Sequence, residues 1–521
     1  MSANKLIFEV DGKPSFGKLL IFALQQVLAV LAATILVPTI IGLPVQIPAA
    51  ILGAGVGTLV YLLFTRFKSP VIISSSFAFL GALSNAIAFG YLGIMLGALF
   101  AGLVYVVIAI IVKFVGTEWV NKLMPPVIIG PTVALIGLSL AGNAVADITK
   151  STVAQPNQAY NLVALFCGLV TFFTVVICSV QNKFKTGRLI PFIIGILAGY
   201  LVATIFTVIG NVAGIDYLKI IDWSPLTSLF QEIKLQSFLD LPKIALAEGI
   251  VEITSGEVNA DILAANPHAT VLTPIGIAEV ALAFIPVAFV TFAEHIADHK
   301  NLSSIINKDL LSDPGLSRTL LGDGVGSIAG TVFGICPNTT YGESVGCVAI
   351  TKNASVRTIL AAAIMLVFLS FLAPLTGALR TIPNCVMGGV CLTLYGFIAV
   401  SGFKMFQKVD LNKAKNLFIV AAILISGIGG LSIQIPYAIY AEDVMTKAVL
   451  EEPEGVFSII DVVANPAGQV KSAVTITSIA AALILGIITM VICNAVEKRN
   501  APEDDEPVEE AGAESPEKVE E

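Results

Sequence analysis

Two short stretches of the chain carry acids in otherwise apolar surroundings. The first is AEHIADH at residues 293–299, which closes a largely apolar run from Leu272 through Phe292. An ionisable side chain is costly in lipid, so this cluster predicts a functional site that faces protein or water. Glu294 and Asp298 are four residues apart and therefore lie on one face of a helix. We expect them to accept hydrogen bonds from a ligand and to carry a proton.

The second stretch is PNTTYGE at residues 337–343. Its acid, Glu343, lies inside a short apolar segment and has no basic neighbour before Lys352. We predict that Glu294 and Glu343 face each other across one ligand. The alternative for Glu294 and Asp298 is that the membrane span ends near Phe292 and that water solvates both acids at the cytoplasmic mouth.

The histidines suggest a metal site as a competing hypothesis. His295 and His299 are four residues apart, beside Glu294 and Asp298, and such a spacing can hold zinc. The order differs from the HExxH of metalloproteases, and no third cluster of ligands occurs elsewhere in the sequence. We therefore expect no metal and no cofactor. An intramembrane metal enzyme and a metal-ion carrier are the remote alternatives.

The composition places these motifs in a membrane protein. Of 521 residues, 56% are hydrophobic and only 13% are charged, and the mean hydropathy is +0.90. Soluble domains have roughly 25% charged residues, whereas a helix needs about 20 apolar residues to cross a bilayer. Runs of that kind predict an all-α polytopic protein with about fourteen transmembrane segments. They lie at 18–40, 47–65, 71–88, 90–113, 124–142, 160–180, 189–211, 274–298, 320–335, 341–353, 357–378, 383–403, 416–433 and 473–495.

Spans three and ten are irregular. VIISSSFAF at 71–79 and CPNTTYGE at 336–343 are rich in β-branched and hydroxyl side chains, which favours a short extended piece over a helix. Extended backbone survives at membrane depth only where protein or a water-filled cavity satisfies its polar groups. Two such segments in corresponding halves predict a 7+7 inverted repeat with a binding site at the interface.

Each extended piece leads into a helix, which starts at about Phe77 in one half and at Gly342 in the other. Unpaired N–H groups and the positive end of the helix dipole then point into the cavity. These groups suit a neutral, planar ligand rich in C=O and N–H groups, and Gly342 lets the backbone approach it closely. Gln25 and Gln26, in the middle of the first span, either join helices or belong to the ligand shell.

The basic residues set the orientation. With the N-terminus in the cytoplasm, the inner segments hold most of the 29 lysines and arginines, as the positive-inside rule requires. Both termini are therefore predicted to be cytoplasmic. Two outer loops are predicted to be solvated caps or interfacial helices, namely 212–271 with its amphipathic piece Leu229–Leu241 and the acidic 434–472. The Glu-rich tail after Pro502 is predicted to be disordered.

A set of motifs carries a family resemblance. It comprises Gln25-Gln26, AATILVP at 32–38, SSFAF at 75–79, AEHI at 293–296, DPGL at 313–316, and PNTTYGE at 337–343 with Thr351-Lys352 behind it. Together these motifs are similar to those of the nucleobase–ascorbate transporters, and within that family to the uracil branch. Two positions depart from the pattern. Ser344 stands where the family usually has Asn, and Asp298 stands where the uracil branch often has His.

The resemblance implies a core domain that moves against a gate domain, with the ligand between them, in a homodimer. The core would comprise residues 18–120 (spans 1–4) and 272–380 (spans 8–11). The gate would comprise 121–211 (spans 5–7) and 381–497 (spans 12–14). Outside both domains lie the N-terminal segment 1–17, the outer loop 212–271 and the tail 498–521.

The resemblance also assigns roles to residues. It implies that Glu294 and Glu343 accept the N–H groups of the base and that backbone at Phe77 and Gly342 meets its carbonyl groups. It implies that Tyr341 packs nearby, and it favours the ligand shell for Gln25. The proton would be carried by three of the acids, which are Glu294, Asp298 and Glu343.

The predicted function is therefore a nucleobase importer of the cell membrane, a uracil:H⁺ symporter, with Na⁺ as the other coupling ion that the sequence allows. The expected partners are a small nucleobase and the lipid bilayer, and no nucleic acid. A purine (xanthine or urate) permease is the near alternative, because an acid at position 298 is typical of purine members. An anion carrier on the same architecture is the more remote one.

Overall fold

The structure is a computed structural model that describes residues 6–151, 153, 160–181, 190–407, 409–440 and 469–500. This part of the chain is mostly helical. The predicted acidic tail lies outside the described residues apart from 498–500, and so do residues 441–468 of the second outer loop.

Twenty helices account for most of the described residues, and several of the connections between them contain a single 3₁₀ turn. In chain order they are α1 (Phe16–Ile40), α2 (Ile47–Phe64), α3 (Leu80–Ala86), α4 (Gly90–Val115), α5 (Glu118–Leu123), α6 (Pro126–Ser139), α7 (Ala141–Ile148), α8 (Leu162–Val180), α9 (Pro191–Ala213), α10 (Ser224–Thr227), α11 (Ala245–Ser255), α12 (Ala260–Ala265), α13 (Pro274–Ile306), α14 (Leu316–Phe333), α15 (Gly342–Thr351), α16 (Val356–Ser370), α17 (Ala373–Arg380), α18 (Asn384–Phe406), α19 (Ala414–Ile428) and α20 (Ser478–Asn500).

Within the described residues, nine helical stretches are long and apolar enough to cross a membrane. They make the chain a multi-pass membrane protein. One of them, Phe77–Val115, joins the predicted third and fourth spans into a single stretch of 39 residues. Two shorter apolar helices, Val356–Ser370 and Ala414–Ile428, accompany them. The larger count of fourteen spans and the 7+7 repeat stay predictions.

Two three-residue strands lie in the irregular third and tenth segments. They are β1 (Ile73–Ser75) and β2 (Asn338–Thr340), and they pair antiparallel with Ser74 opposite Thr339. All six residues are buried. Side chains satisfy part of the remaining backbone, since Thr58 Oγ1 donates to Ile73 O at 3.0 Å and accepts from Ile73 N at 3.1 Å.

Helix α14 packs between α2 and α4, and glycines allow the close approach to α2. A Cβ added at Gly53 would lie 2.3 Å from the carbonyl oxygen of Gly330. Without a hydrophobic force between helices in lipid, small residues at such contacts supply the packing. Helix α2 also supports β2, because Asn338 Nδ2 donates to Gly53 O at 2.8 Å.

Gly53→Ala is therefore expected to destabilise the protein. The added methyl group has no room beside the Gly330 carbonyl, and overpacking of this kind typically costs about 1–3 kcal/mol. The measurement is thermal unfolding of the detergent-purified protein. Gly142→Ala in α7 is the matched control, because a Cβ there meets nothing within 4 Å. Equal melting temperatures of the two variants would contradict the close α2–α14 packing.

The predicted outer loop 212–271 is folded and packs against the membrane helices. Its piece Leu229–Leu241 contains only single turns, at Ser228–Phe230 and Leu235–Ser237, instead of a continuous helix. A helix forms later, as α11, and its Glu252 accepts from the backbone N–H of Leu92 in α4 at 3.4 Å. The buried carboxylate lies at the N-terminal end of α4, where the helix dipole favours a negative charge.

Two further segments pair as strands. Residues flanking the undescribed part of the second outer loop form β3 (Ile433–Tyr440) and β4 (Gln469–Ile476), which are antiparallel. Near the N-terminus, Phe8 forms a parallel bridge with Asn353, between α15 and α16. The N-terminal segment thus lies on the same side of the molecule as the connection after α15.

Candidate functional site

The two broken segments meet at the point where each turns into a helix. Beyond the strand pair, Ser76 N donates to Pro337 O at 3.0 Å, and Tyr341 Oη donates to Ser75 O at 2.6 Å. A 3₁₀ turn begins at Phe77 directly after β1, and α15 begins at Gly342 directly after β2. The free N–H groups of two helix starts are therefore neighbours inside the protein.

The start of α15 combines an open backbone with an acid. Gly342 is exposed and Glu343 is partly exposed, whereas Tyr341 and Ser344 on either side are buried. Glu343 lies in the first turn of α15, where the positive end of the helix dipole stabilises a carboxylate. This face of α15 is accessible to a ligand.

Helix α13 brings its two acids to the same place. It continues unbroken to Ile306, so the helix itself does not end near Phe292, while the depth at which the membrane span ends stays a prediction. Asp298 is buried, accepts from Thr340 Oγ1 at 2.9 Å, and has its Oδ1 3.8 Å from where a Cβ of Gly342 would stand. Glu294 is partly exposed and interacts electrostatically with both Asp298 and Glu343.

The structure therefore places close together five of the residues predicted from the sequence, namely Glu294, Asp298, Tyr341, Gly342 and Glu343. Tyr341 completes the group, because it directly precedes Gly342 and Glu343 at the start of α15 and its hydroxyl donates to Ser75 O at 2.6 Å. Three carboxyl groups in one partly exposed site repel one another when all are ionised, so binding of a proton relieves the repulsion. The arrangement can accept hydrogen bonds at its acids and donate them from the α15 backbone.

Phe77 lies at the edge of this group and contacts a residue that the sequence analysis missed. Its buried ring packs edge-to-face against Tyr395 of α18, with centroids 5.4 Å apart and planes at 84°. No local pattern could have revealed Tyr395, because a tyrosine in an apolar span is common and only packing selects this one.

The two glutamines of α1 have different surroundings. Gln26 is buried and accepts from Ser344 Oγ at 3.0 Å, while Ser344 Oγ also accepts from Ile72 N at 3.1 Å. Gln26 thus links α1 to the start of α15. Gln25, the residue predicted to bind substrate, is partly exposed, and its Oε1 is buried with no partner among the described residues.

Both histidines of the first motif are buried and hydrogen-bonded to protein. His295 Nδ1 contacts Asp323 Oδ2 at 2.6 Å, and His299 Nε2 contacts Tyr61 Oη at 2.7 Å. Within the described residues no cluster of three or more potential metal ligands occurs. The sequence analysis did not select Asp323. Its position as an acid inside the predicted span 320–335 would have been sufficient reason to select it.

The chain resembles named permeases over most of its length. A family model, Xan_ur_permease, which describes a permease family, matches residues 17–435. The chain is 35% identical over 435 residues to a protein of Bacillus caldolyticus named uracil permease, a match that covers 83% of this chain and 90% of the relative. It is 33% identical over 429 residues to the uracil permease of Escherichia coli (strain K12), with 82% and 88% covered.

Solved structures share the fold at low identity. The transmembrane domain of the cyanobacterial bicarbonate transporter BicA has a TM-score of 0.50 at 15% identity, with 80% of this chain and 97% of that one covered. The murine anion transporter Slc26a9 in its inward-facing state has a TM-score of 0.56 at 10% identity, with 93% and 69% covered. At such identities the likeness concerns the architecture of a transporter and not its substrate.

Proposed function

The chain belongs to the permease family described by Xan_ur_permease, and we propose that it is a uracil permease that moves the base across a cell membrane together with a proton. Its relatives at 33–35% identity are named uracil permeases, and a permease is a transporter and not an enzyme. The proposal extends that substrate to this chain.

The observation that carries the proposal is the meeting of Glu294 and Glu343 beside the open backbone of Gly342. Uracil presents N–H groups next to C=O groups around one planar ring. Carboxylates accept strong, charge-assisted hydrogen bonds from such N–H groups, and the first N–H groups of α15 have no partner within the helix. Tyr341 and Phe77 would supply apolar faces for the ring, and Gln25 would lie at the margin of the site.

Proton coupling would use the same acids. Glu294, Asp298 and Glu343 interact electrostatically, so a proton bound among them reduces their repulsion while the neutral base is held. Loss of that proton on the cytoplasmic side would restore the repulsion and favour release of the base. The membrane potential adds about 2.3 kcal/mol per charge and 100 mV to such a cycle.

The movement that we propose is that of the core domain, residues 18–120 and 272–380, against the gate domain, residues 121–211 and 381–497. The Phe77–Tyr395 contact joins one domain to the other at the site, and it would break and re-form in each cycle. The bridge from Phe8 to Asn353 agrees with a cytoplasmic N-terminus, because the connection that holds Asn353 is a predicted inner segment. By the resemblance, the protein would work as a homodimer.

A nucleobase binding panel tests the proposal. Purified protein is titrated with uracil, thymine, xanthine and urate over a pH series, and the dissociation constant of each is measured. We expect uracil to bind most tightly, and its binding to weaken as the pH rises. A preference for xanthine or urate would instead support a purine permease. That alternative is suggested by the acid at position 298, Asp298. Binding that depends on Na⁺ and not on pH would refute proton coupling.

A further inference from the structure

A second polar site lies inside the protein, behind β2. A small cavity is enclosed by α4, α13, α14 and β2, and its polar lining residues include Tyr105, Thr291, Asp323, Ser327 and Asn338. The volume open to the centre of a water molecule is about 10 Å³, which reaches the roughly 10–15 Å³ that one bound water needs.

Two oxygens of this lining make no hydrogen bond of normal geometry with the described residues. They are Asp323 Oδ1 and Tyr105 Oη, on side chains of residues that are only 1% and 4% exposed. A third such oxygen, Thr339 Oγ1, belongs to the residue after Asn338 in β2. Each buried polar group left without a partner costs about 1–3 kcal/mol, so a ligand that bonds to them is strongly favoured.

His295 and Asp323 form a pair beside the cavity. His295 Nδ1 contacts Asp323 Oδ2 at 2.6 Å, and His295 Nε2 contacts Thr319 Oγ1 at 3.0 Å. The pair thus occupies Oδ2 of Asp323 and leaves Oδ1 as the oxygen of this carboxyl group that has no partner in the described part of the chain.

A water molecule provides both the donor that Asp323 Oδ1 lacks and the acceptor that the Tyr105 hydroxyl lacks. These two complementary needs, around a space that admits one water molecule, favour water as the ligand of this cavity.

We propose that this cavity holds one bound water molecule, which accepts from Tyr105 Oη and donates to Asp323 Oδ1. This water would stabilise the position of β2 from the side opposite the substrate site. Asn338 of β2 lines the cavity, while Thr340 of the same strand donates to Asp298. Loss of the water would loosen β2 and thereby shift Asp298 and the start of α15.

Two measurements test the water itself. An experimental structure of the full-length protein at about 2 Å resolution should show one density peak at hydrogen-bonding distances of roughly 2.7–3.0 Å from Tyr105 Oη and Asp323 Oδ1. Its melting temperature should be the same in NaCl and in choline chloride. A dry cavity, or stabilisation by Na⁺ together with shorter metal–oxygen distances, would overturn the proposal.

A third measurement tests whether the bound water stabilises β2, and this test rests on the proposed uracil binding. Tyr105→Phe should weaken uracil binding about threefold to tenfold. Tyr91→Phe, on the same helix, is the control, because Tyr91 is equally buried and its hydroxyl accepts from Gln46 Nε2 at 2.5 Å, away from the cavity. Equal uracil affinities of the two variants would refute the proposed stabilisation of β2 by the bound water. Failure of the wild-type protein to bind uracil would refute the proposed function and leave the water density as the test of this site.

Discussion

Glu294→Gln is expected to abolish proton-driven accumulation of uracil and to weaken uracil binding about 100-fold. The amide turns one ligand acceptor into an N–H donor that faces the N–H of the base, and it removes the charge that strengthens the remaining bond. A lost charge-assisted hydrogen bond together with a buried unpaired donor costs about 3 kcal/mol, and each 1.4 kcal/mol is tenfold in affinity.

The measurement is uptake of labelled uracil into proteoliposomes under an imposed proton gradient, together with the dissociation constant of the purified protein. Glu279→Gln is the matched control. Glu279 is on the same helix, fifteen residues earlier, which corresponds to roughly 22 Å along the axis. The Glu279→Gln variant should retain near wild-type uptake of uracil. If Glu294→Gln still accumulates uracil in a pH-dependent manner, Glu294 neither binds the base nor carries the proton.

Gly342→Ala is expected to reduce uracil affinity at least tenfold while leaving the fold intact. A Cβ at this position meets only Asp298 Oδ1, at an ordinary contact distance of 3.8 Å, so the protein accommodates it. The methyl group would stand over the exposed N–H groups at the start of α15, where the base has to approach the backbone. Steric exclusion of the ligand is therefore the main effect.

Gly346→Ala provides the control for this second variant. It lies one turn further along α15, and a Cβ there meets nothing within 4 Å. Replacing a helical glycine by alanine stabilises the helix by up to about 1 kcal/mol, so we expect unchanged uracil binding and an equal or higher melting temperature. If Gly342→Ala and Gly346→Ala bind uracil equally well, the ligand does not lie on the α15 backbone.

The broken segments and their acids were accessible to sequence analysis because their signals are local. An ionisable side chain in an apolar run and a β-branched, hydroxyl-rich piece at membrane depth each have a cost that only a protein-lined cavity can offset. Glu294, Glu343 and Gly342 were selected on these grounds and lie together in the structure. Their binding roles stay predictions.

Other features depended on packing between elements far apart in the chain. That β1 pairs with β2, that Gln26 and not Gln25 reaches Ser344, and that Tyr395 meets Phe77 are decided by how helices are rotated against one another. Helix rotation is set by close contacts such as Gly53 against Gly330, which no local pattern specifies.

The sequence by itself thus determined that this chain spans the membrane and which acids stand at its interrupted segments, because lipid penalises each such residue wherever it occurs. Only the tertiary structure decided which groups face one another. It paired His295 with Asp323 and enclosed a cavity beside Tyr105, because a buried hydrogen bond depends on the positions of both partners and the sequence around either one does not contain the other.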